Sequence, residues 1–153
     1  MSDFILKDEI NKYFSDIFKK YNFEFVSYAV DKENFGNSCT LYKNNNIYVN
    51  INTDRGEILI GISSIQMKSS TFGLKLLFEY LGIDKNDLKR CEFDEGIEDY
   101  GERQRKQLEN YSVLATKYFP KILSLFKASD YFANREKLVE YTRKRSEEML
   151  KGL

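Results

Sequence analysis

The stretch Asn34–Ser64, NFGNSCTLYKNNNIYVNINTDRGEILIGISS, decides the fold, because here alone apolar residues alternate strictly with polar ones. A period of two is the signature of strands with one buried face. Ile47, Val49 and Ile51 point to one side, and Tyr48, Asn50 and Asn52 to the other. After a turn, Ile58, Ile60 and Ile62 repeat the pattern against Leu59, Gly61 and Ser63. The connections are short. Asn44-Asn45-Asn46 tolerates the positive φ of a tight turn, and Asp54-Arg55-Gly56 closes a second hairpin with Gly56 in the left-handed position. Strands are expected at Phe23–Asp31, Ser38–Lys43, Ile47–Thr53 and Glu57–Ser64, with a turn or bulge at Phe35-Gly36-Asn37. They form a four-stranded antiparallel meander over about residues 23–64.

Outward from the meander the period changes to that of helices. Ser2 or Asp3 caps a first helix to about Tyr21, whose apolar side is Phe4, Ile10, Tyr13, Phe14, Ile17 and Phe18. Downstream, Ser69 or Ser70 caps a short helix from about Thr71 to Leu81, with Phe72, Leu76, Leu77 and Tyr80 inward and Gly82 as the stop. Asp84–Arg90 adds a helical turn. A longer pattern runs from about Gly96 to Lys127 along Tyr100, Gln104, Leu108, Tyr111, Ala115, Tyr118, Ile122 and Phe126, and Pro120 predicts a kink or break near Phe119. Ser129 or Asp130 caps a last helix, Tyr131–Lys151, carrying Phe132, Leu138, Tyr141, Met149 and Leu150. The expectation is one α+β domain over 1–153, with the N-terminal helix and the C-terminal helical half packed on one face of the sheet.

Composition narrows the function. The 153 residues are 42% hydrophobic and 31% charged, the balance of a chain that buries about two thirds of its unfolded surface without staples. Lys+Arg and Asp+Glu both number 24, so no net charge draws the chain to nucleic acid or an anionic membrane. With no histidine, imidazole catalysis and His-ligated metal sites are excluded. Cys39 and Cys91 lack metal-ligand spacing and read as two reduced, buried thiols, with a disulfide between them left open. No cofactor, metal ligand or catalytic residue is assigned. The N-terminus carries no export signal, and no stretch nears the roughly 18 apolar residues of a membrane span, so a cytoplasmic protein is expected.

Charge is nevertheless segregated. Residues 1–102 hold 12 Lys+Arg against 18 Asp+Glu, a net of minus 6, and residues 103–153 hold 12 against 6, a net of plus 6. The two halves therefore attract, or present faces of opposite sign. Glu92, Asp94, Glu95, Glu98, Asp99 and Glu102 form an acidic run that contains no base. Acids there initiate a helix through its dipole, or, around Ile97 and Tyr100, they offer a basic partner an aromatic anchor. The bases Arg143, Lys144 and Arg145 are interrupted by Glu136, Glu140, Glu147 and Glu148, which suits a salt-bridged surface helix better than a nucleic-acid patch. Asp54, Arg55 and Glu57 have the make-up of an exposed turn. Tyr42 and Tyr48, beside Asn50 and Asn52, are expected to be exposed on the outer face of the sheet.

The meander FGNSCTLYKNNNIYVNINTDRGEILIGIS at 35–63, followed by helices, resembles the small cytosolic α+β immunity proteins encoded beside secreted bacterial toxins, including those of contact-dependent growth inhibition. The resemblance rests on compact size, the lack of a catalytic set, and abundant Tyr, Asn, Asp and Glu. It implies a non-enzymatic inhibitor that binds a toxin domain, and it carries over no functional residue. On that reading the partner is a basic protein domain rather than nucleic acid or membrane, and the chain is a monomer or weak homodimer. Its contact residues are Asp94, Glu95, Glu98, Asp99, Tyr100 and Glu102. Two alternatives stand beside it: a regulatory or structural module that self-associates through a sheet edge or the last helix, and a small carboxylate-based hydrolase.

Overall fold

A computed structural model describes residues 4–33 and 37–152. In chain order the elements are α1 (Leu6–Lys20), β1 (Glu24–Asp31), β2 (Asn37–Lys43), β3 (Ile47–Asp54), β4 (Glu57–Ser64) and β5 (Met67–Gly73). The helices α2 (Leu74–Tyr80), α3 (Lys85–Lys89), α4 (Tyr100–Leu125) and α5 (Tyr131–Lys151) follow. The class is α+β, and the sheet is an antiparallel meander in the order β1-β2-β3-β4-β5. The expected cap at Ser2 or Asp3 and the turn at Phe35-Gly36 lie outside the described residues. Within them α1 starts after Ile5 without a side-chain cap.

The alternation does what its period requires. Ile47, Val49, Ile51, Ile58, Ile60 and Ile62 are all at most 4% exposed and form one continuous layer. Helices α2 and α4 lie against β4, α1 packs on β2 and α4 beside them, and α5 packs on α2 and α4 as an outer layer. The opposite face stays open at Cys39 and Leu59, with Tyr48, Asn50 and Asn52 half-buried there. A tight aromatic seam joins α1 to β2 and α4. Phe18 lies 4.3 Å from Tyr42 and 5.2 Å from Phe23, and Tyr21 and Phe23 lie 5.1 and 5.8 Å from Phe119.

The β3–β4 hairpin follows its turn chemistry, whereas Asn44-Asn45-Asn46 adopts no positive φ and is shaped by side-chain hydrogen bonds instead. Arg55 and Gly56 have φ of 52° and 84°, a two-residue turn of the kind whose twist matches the strands it joins. The amide of Asn37 holds this tip, donating to Asp54 Oδ1 at 3.3 Å and accepting from the Arg55 N–H at 3.0 Å. At the other end, Asn44 Oδ1 accepts from the N–H groups of Asn46 and Ile47, and its amide donates to the Tyr21 carbonyl. One asparagine thus shapes the turn and ties the end of α1 to the sheet.

Several expectations are corrected. The sheet has a fifth strand where a helix from Thr71 was expected: Thr71 and Phe72 belong to β5, and α2 begins after Gly73 without a side-chain cap from Ser69 or Ser70. Only Phe72 of β5 is buried, so this edge strand shows too little alternation to read. Tyr42 is on the inner face, paired with Val49 and 4% exposed, because β2 sets Ser38, Thr40 and Tyr42 inward. Burial pushes its phenol up to about 12. Cys39 is exposed on the open face rather than buried; only Cys91 is buried, and both thiols are free.

The long helix begins at Tyr100 rather than Gly96, and it runs unbroken through Pro120 to Leu125. Pro120 and Thr116 are exposed, so water can satisfy the Thr116 carbonyl that loses its donor. At α5, Asp130 occupies the N-cap position but its side chain makes no cap bond, and Ser129 does not cap the helix either. Of the apolar residues expected to pack from this helix, Phe132, Met149 and Leu150 are exposed, Tyr141 is half-buried and Leu138 is buried; Tyr131, not among those expected, is buried as well.

One side chain joins α4 to the sheet. β5 pairs with β4 only over Gly61–Ser64, which leaves the β4 edge at Ile58 without a strand neighbour. There the carboxamide of Gln107 takes the place of a strand: the Ile58 N–H donates to Oε1 at 2.8 Å, and Nε2 donates to the carbonyls of Ile58 at 3.1 Å and Cys91 at 2.9 Å. Farther along, a Cβ on Gly61 would lie 2.6 Å from Thr71 Cγ2 and 2.8 Å from Asn50 Oδ1, so any larger residue there would force those side chains to shift.

Replacing Gln107 by leucine keeps the volume but strands three backbone groups, two of them on Ile58. We expect the unfolding free energy to fall by about 2–4 kcal/mol. A urea titration measures this; a loss under about 0.5 kcal/mol would mean that the amide bonds are dispensable.

Candidate interaction surface

The acidic run occupies the connection from α3 into α4, and its shape comes from hydrogen bonds within it. Asp94 Oδ1 accepts from the Gly96 N–H at 2.9 Å, an Asx turn. Asp99 Oδ1 accepts from the Glu102 N–H at 2.9 Å and so caps α4. Arg103 braces the loop from inside: Nε donates to the Ile97 carbonyl, and an amino group donates to the Glu95 carbonyl at 3.1 Å. Its guanidinium lies between two rings, 4.5 Å from the Phe93 centroid and 5.1 Å from that of Tyr100.

Tyr100 is 62% exposed, yet it is not loose. Its ring lies over the tip of the β3–β4 hairpin, where a Cβ on Gly56 would come within 3.3 Å of its Cδ1. The predicted surface therefore gains a second segment, Asp54–Glu57, which carries acids of its own. Glu102 turns the other way, to Arg105 Nη1 at 2.6 Å; Arg105 Nε donates to Glu9 at 2.9 Å and so links α4 to α1. These bonds to Glu9 and Glu102 hold the Arg105 guanidinium more firmly protonated than usual.

The predicted residues thus divide. Asp94 and Asp99 each use an oxygen on backbone N–H groups, and Glu102 is paired. Glu95 and Glu98 are exposed and make no ion pair with any described residue. Glu92, at the start of the run, belongs to another contact. Its hydrogen bond to Lys75, 2.8 Å long, holds its carboxyl below the usual range. Sequence reasoning missed Gly56, Phe93 and Arg103. The signal available was local only for the last two, a ring inside the run and a base just after it; Gly56 meets Tyr100 through tertiary structure.

Two open grooves flank the loop. One of about 370 Å³ is lined by Lys89, Arg90, Phe93, Asp94 and Arg103 among others, and one of about 620 Å³ by Lys12, Tyr13, Ile97, Glu102 and Arg105. No group of three or more metal-ligating side chains occurs among the described residues. Behind the loop, burial pushes the Cys91 thiol up to about 12 and raises the Tyr111 phenol further. A thiol so held stays neutral and is a poor nucleophile at neutral pH.

The other sequence candidates are accounted for by ion pairs. Arg143 bonds to Glu140 at 2.5 Å and to Glu147, and Arg145 reaches Glu79 at 2.8 Å. Arg55 lies 3.8 Å from its neighbour Asp54. Among the described residues no helix is long and apolar enough to cross a membrane. Comparison with protein-family models, with curated proteins and with solved structures gave no match for the chain.

Two measurements separate local from surface roles. Asp99→Ala removes the cap and is expected to lower stability by about 1 kcal/mol, whereas Asp99→Asn keeps an acceptor and should change it little; equal losses would reject the capping role. In the native protein a thiol reagent should modify Cys39 and reach Cys91 only on unfolding. Since burial favours the neutral Cys91 thiol, its contribution is full below about pH 8.5 and fades as the pH rises toward 12. Stability that increases over that alkaline range would contradict this sign.

Proposed function

We propose that this chain is a non-enzymatic binding protein that covers a basic surface of a protein partner with the face centred on Tyr100, in the manner of an immunity protein neutralising a toxin domain. The observation that carries the reading is the pairing of an exposed aromatic ring, Tyr100, resting on the hairpin tip, with two carboxylates, Glu95 and Glu98, that make no ion pair with any described residue. Tyr100 is fixed between Gly56 and Arg103, so little side-chain freedom is left to lose when a partner covers it. Glu95 and Glu98 supply a field that accelerates encounter with a basic surface. The braced backbone of the loop favours rigid docking over folding on contact.

The test uses the product of the adjacent upstream reading frame, purified and mixed with this chain. A stoichiometric complex that abolishes the activity of that product supports the proposal. Glu95→Lys with Glu98→Lys should slow association about tenfold at low salt and flatten its salt dependence, with stability unchanged. Unchanged association rejects the assigned face; the absence of any complex, or turnover of a substrate by this chain alone, rejects the function.

A further inference from the structure

We propose that the groove between α3 and α4 is a binding site for the phosphoryl group of a small anion. This goes beyond the partner-binding reading and does not depend on it. The groove, about 370 Å³, has two walls: the end of α3 with the residues just after it, and one face of α4. The first wall brings Lys89, Arg90 and Phe93. Arg103 and Lys106, three residues apart and so on one side of their helix, form the second. Hydrogen bonds fix the separation of the walls: Gln107 donates to the Cys91 carbonyl at 2.9 Å, and Asn110 to the Arg90 carbonyl at 2.6 Å.

What points to an anion is positive charge left without a counter-charge. Arg55, Arg105, Arg143 and Arg145 are ion-paired, Arg135 bonds to Ser70, and Arg103 to two carbonyls. Arg90 alone of the seven arginines makes no such side-chain bond among the described residues, and Lys89 and Lys106 form no ion pair there either. The two acids of the lining are occupied. Glu92 lies against Lys75 at 2.8 Å, with only a weaker pull from Lys89, and Asp94 Oδ1 accepts from the Gly96 N–H. Lys89, Arg90, Arg103 and Lys106 against Glu92 and Asp94 leave the groove at plus 2, in a chain whose total is zero. An ion with two or more negative charges restores the balance, and its oxygens suit the donors. The Arg90 guanidinium can take two oxygens of a tetrahedral group at once, while the lysines act as point charges. Arg103 spends Nε and one amino group on carbonyls yet keeps its charge, with the Phe93 ring 4.5 Å away.

Inorganic phosphate, diphosphate, adenosine monophosphate and acetate are titrated into the isotope-labelled chain at constant ionic strength, and amide shifts are read by NMR. Phosphate is expected to shift residues 89–94 and 103–110 saturably and to bind at least about tenfold tighter than acetate, with diphosphate tighter again. Arg90→Gln with Lys106→Gln should weaken phosphate binding about tenfold without moving the urea midpoint, since both side chains are exposed. Arg90→Lys should keep only part of the affinity, because an ammonium lacks the guanidinium fork. Equal binding of adenosine monophosphate and phosphate supports a free phosphate ion as the ligand; tighter binding of the ester supports a phosphorylated small molecule. Shifts confined to other segments, equal binding of acetate and phosphate, full affinity in the double variant, or no saturation at tens of millimolar phosphate would overturn the proposal. So would a short single-stranded DNA that binds far tighter than diphosphate and shifts residues along α5, which would make nucleic acid the ligand. No protein partner enters these titrations, so their failure and that of the partner-binding reading are seen separately.

Discussion

Everything else in this structure depends on the six branched side chains that β3 and β4 turn to one side. Each fully buried aliphatic chain of this kind contributes about 1.5–3 kcal/mol relative to exposure, and Ile47, Val49, Ile51, Ile58, Ile60 and Ile62 are contiguous. The strands follow one another in chain order as antiparallel neighbours, so no crossover helix brings cover to the second face. Helices α1, α2 and α4 share the inner face of the sheet, α1 on β2 and the other two on β4, and α5 is displaced to an outer position. That displacement explains why Phe132, Val139, Met149 and Leu150 stay exposed on a helix that is otherwise held by Tyr131, Leu138 and ion pairs.

The same layer fixes where the candidate surface can be. Helix α4 has to run along the sheet and begin beside the β3–β4 tip, and Gln107 sets its register by acting as a strand partner for Ile58. From that anchor Arg103 lies one turn toward the N-terminus, where it braces the loop, and Tyr100 falls on Gly56. Gly56 thus serves twice: its positive φ closes the hairpin, and its lack of a Cβ leaves room for the ring.

How much of this was legible in the sequence follows from where the burial contrast is strong. β3 and β4 alternate over their whole length, and both hairpin turns carry Asn or Gly, so strands and turns could be read directly. β5 could not: its one buried residue gives no period, and its serines mimic a helix cap. Tyr42 was misplaced because its neighbours alternate weakly, and the orientation of β2 comes from pairing with Val49 rather than from its own pattern. The acidic run was legible as a run, and Asp99 as a helix start. The contacts of Tyr100 with Gly56 and of Gln107 with Ile58 were not, since each joins segments more than forty residues apart by a single side chain.

The segregation of charge along the chain gains its meaning only in three dimensions. A net of minus 6 in one part and plus 6 in the other predicts mutual neutralisation, and Arg105 with Glu9 and Arg145 with Glu79 do join the two at 2.9 and 2.8 Å. Yet the base nearest the acidic run does not neutralise it. Arg103 spends its donors on the carbonyls of Ile97 and Glu95, so it stiffens the backbone beneath the carboxylates instead of pairing with them. Had Arg103 turned outward to Glu95 or Glu98, the loop would be slacker and its field weaker. Because Arg103 braces the backbone through two carbonyls, Glu95 and Glu98 stay exposed and make no ion pair with any described residue, on a loop held by its own hydrogen bonds.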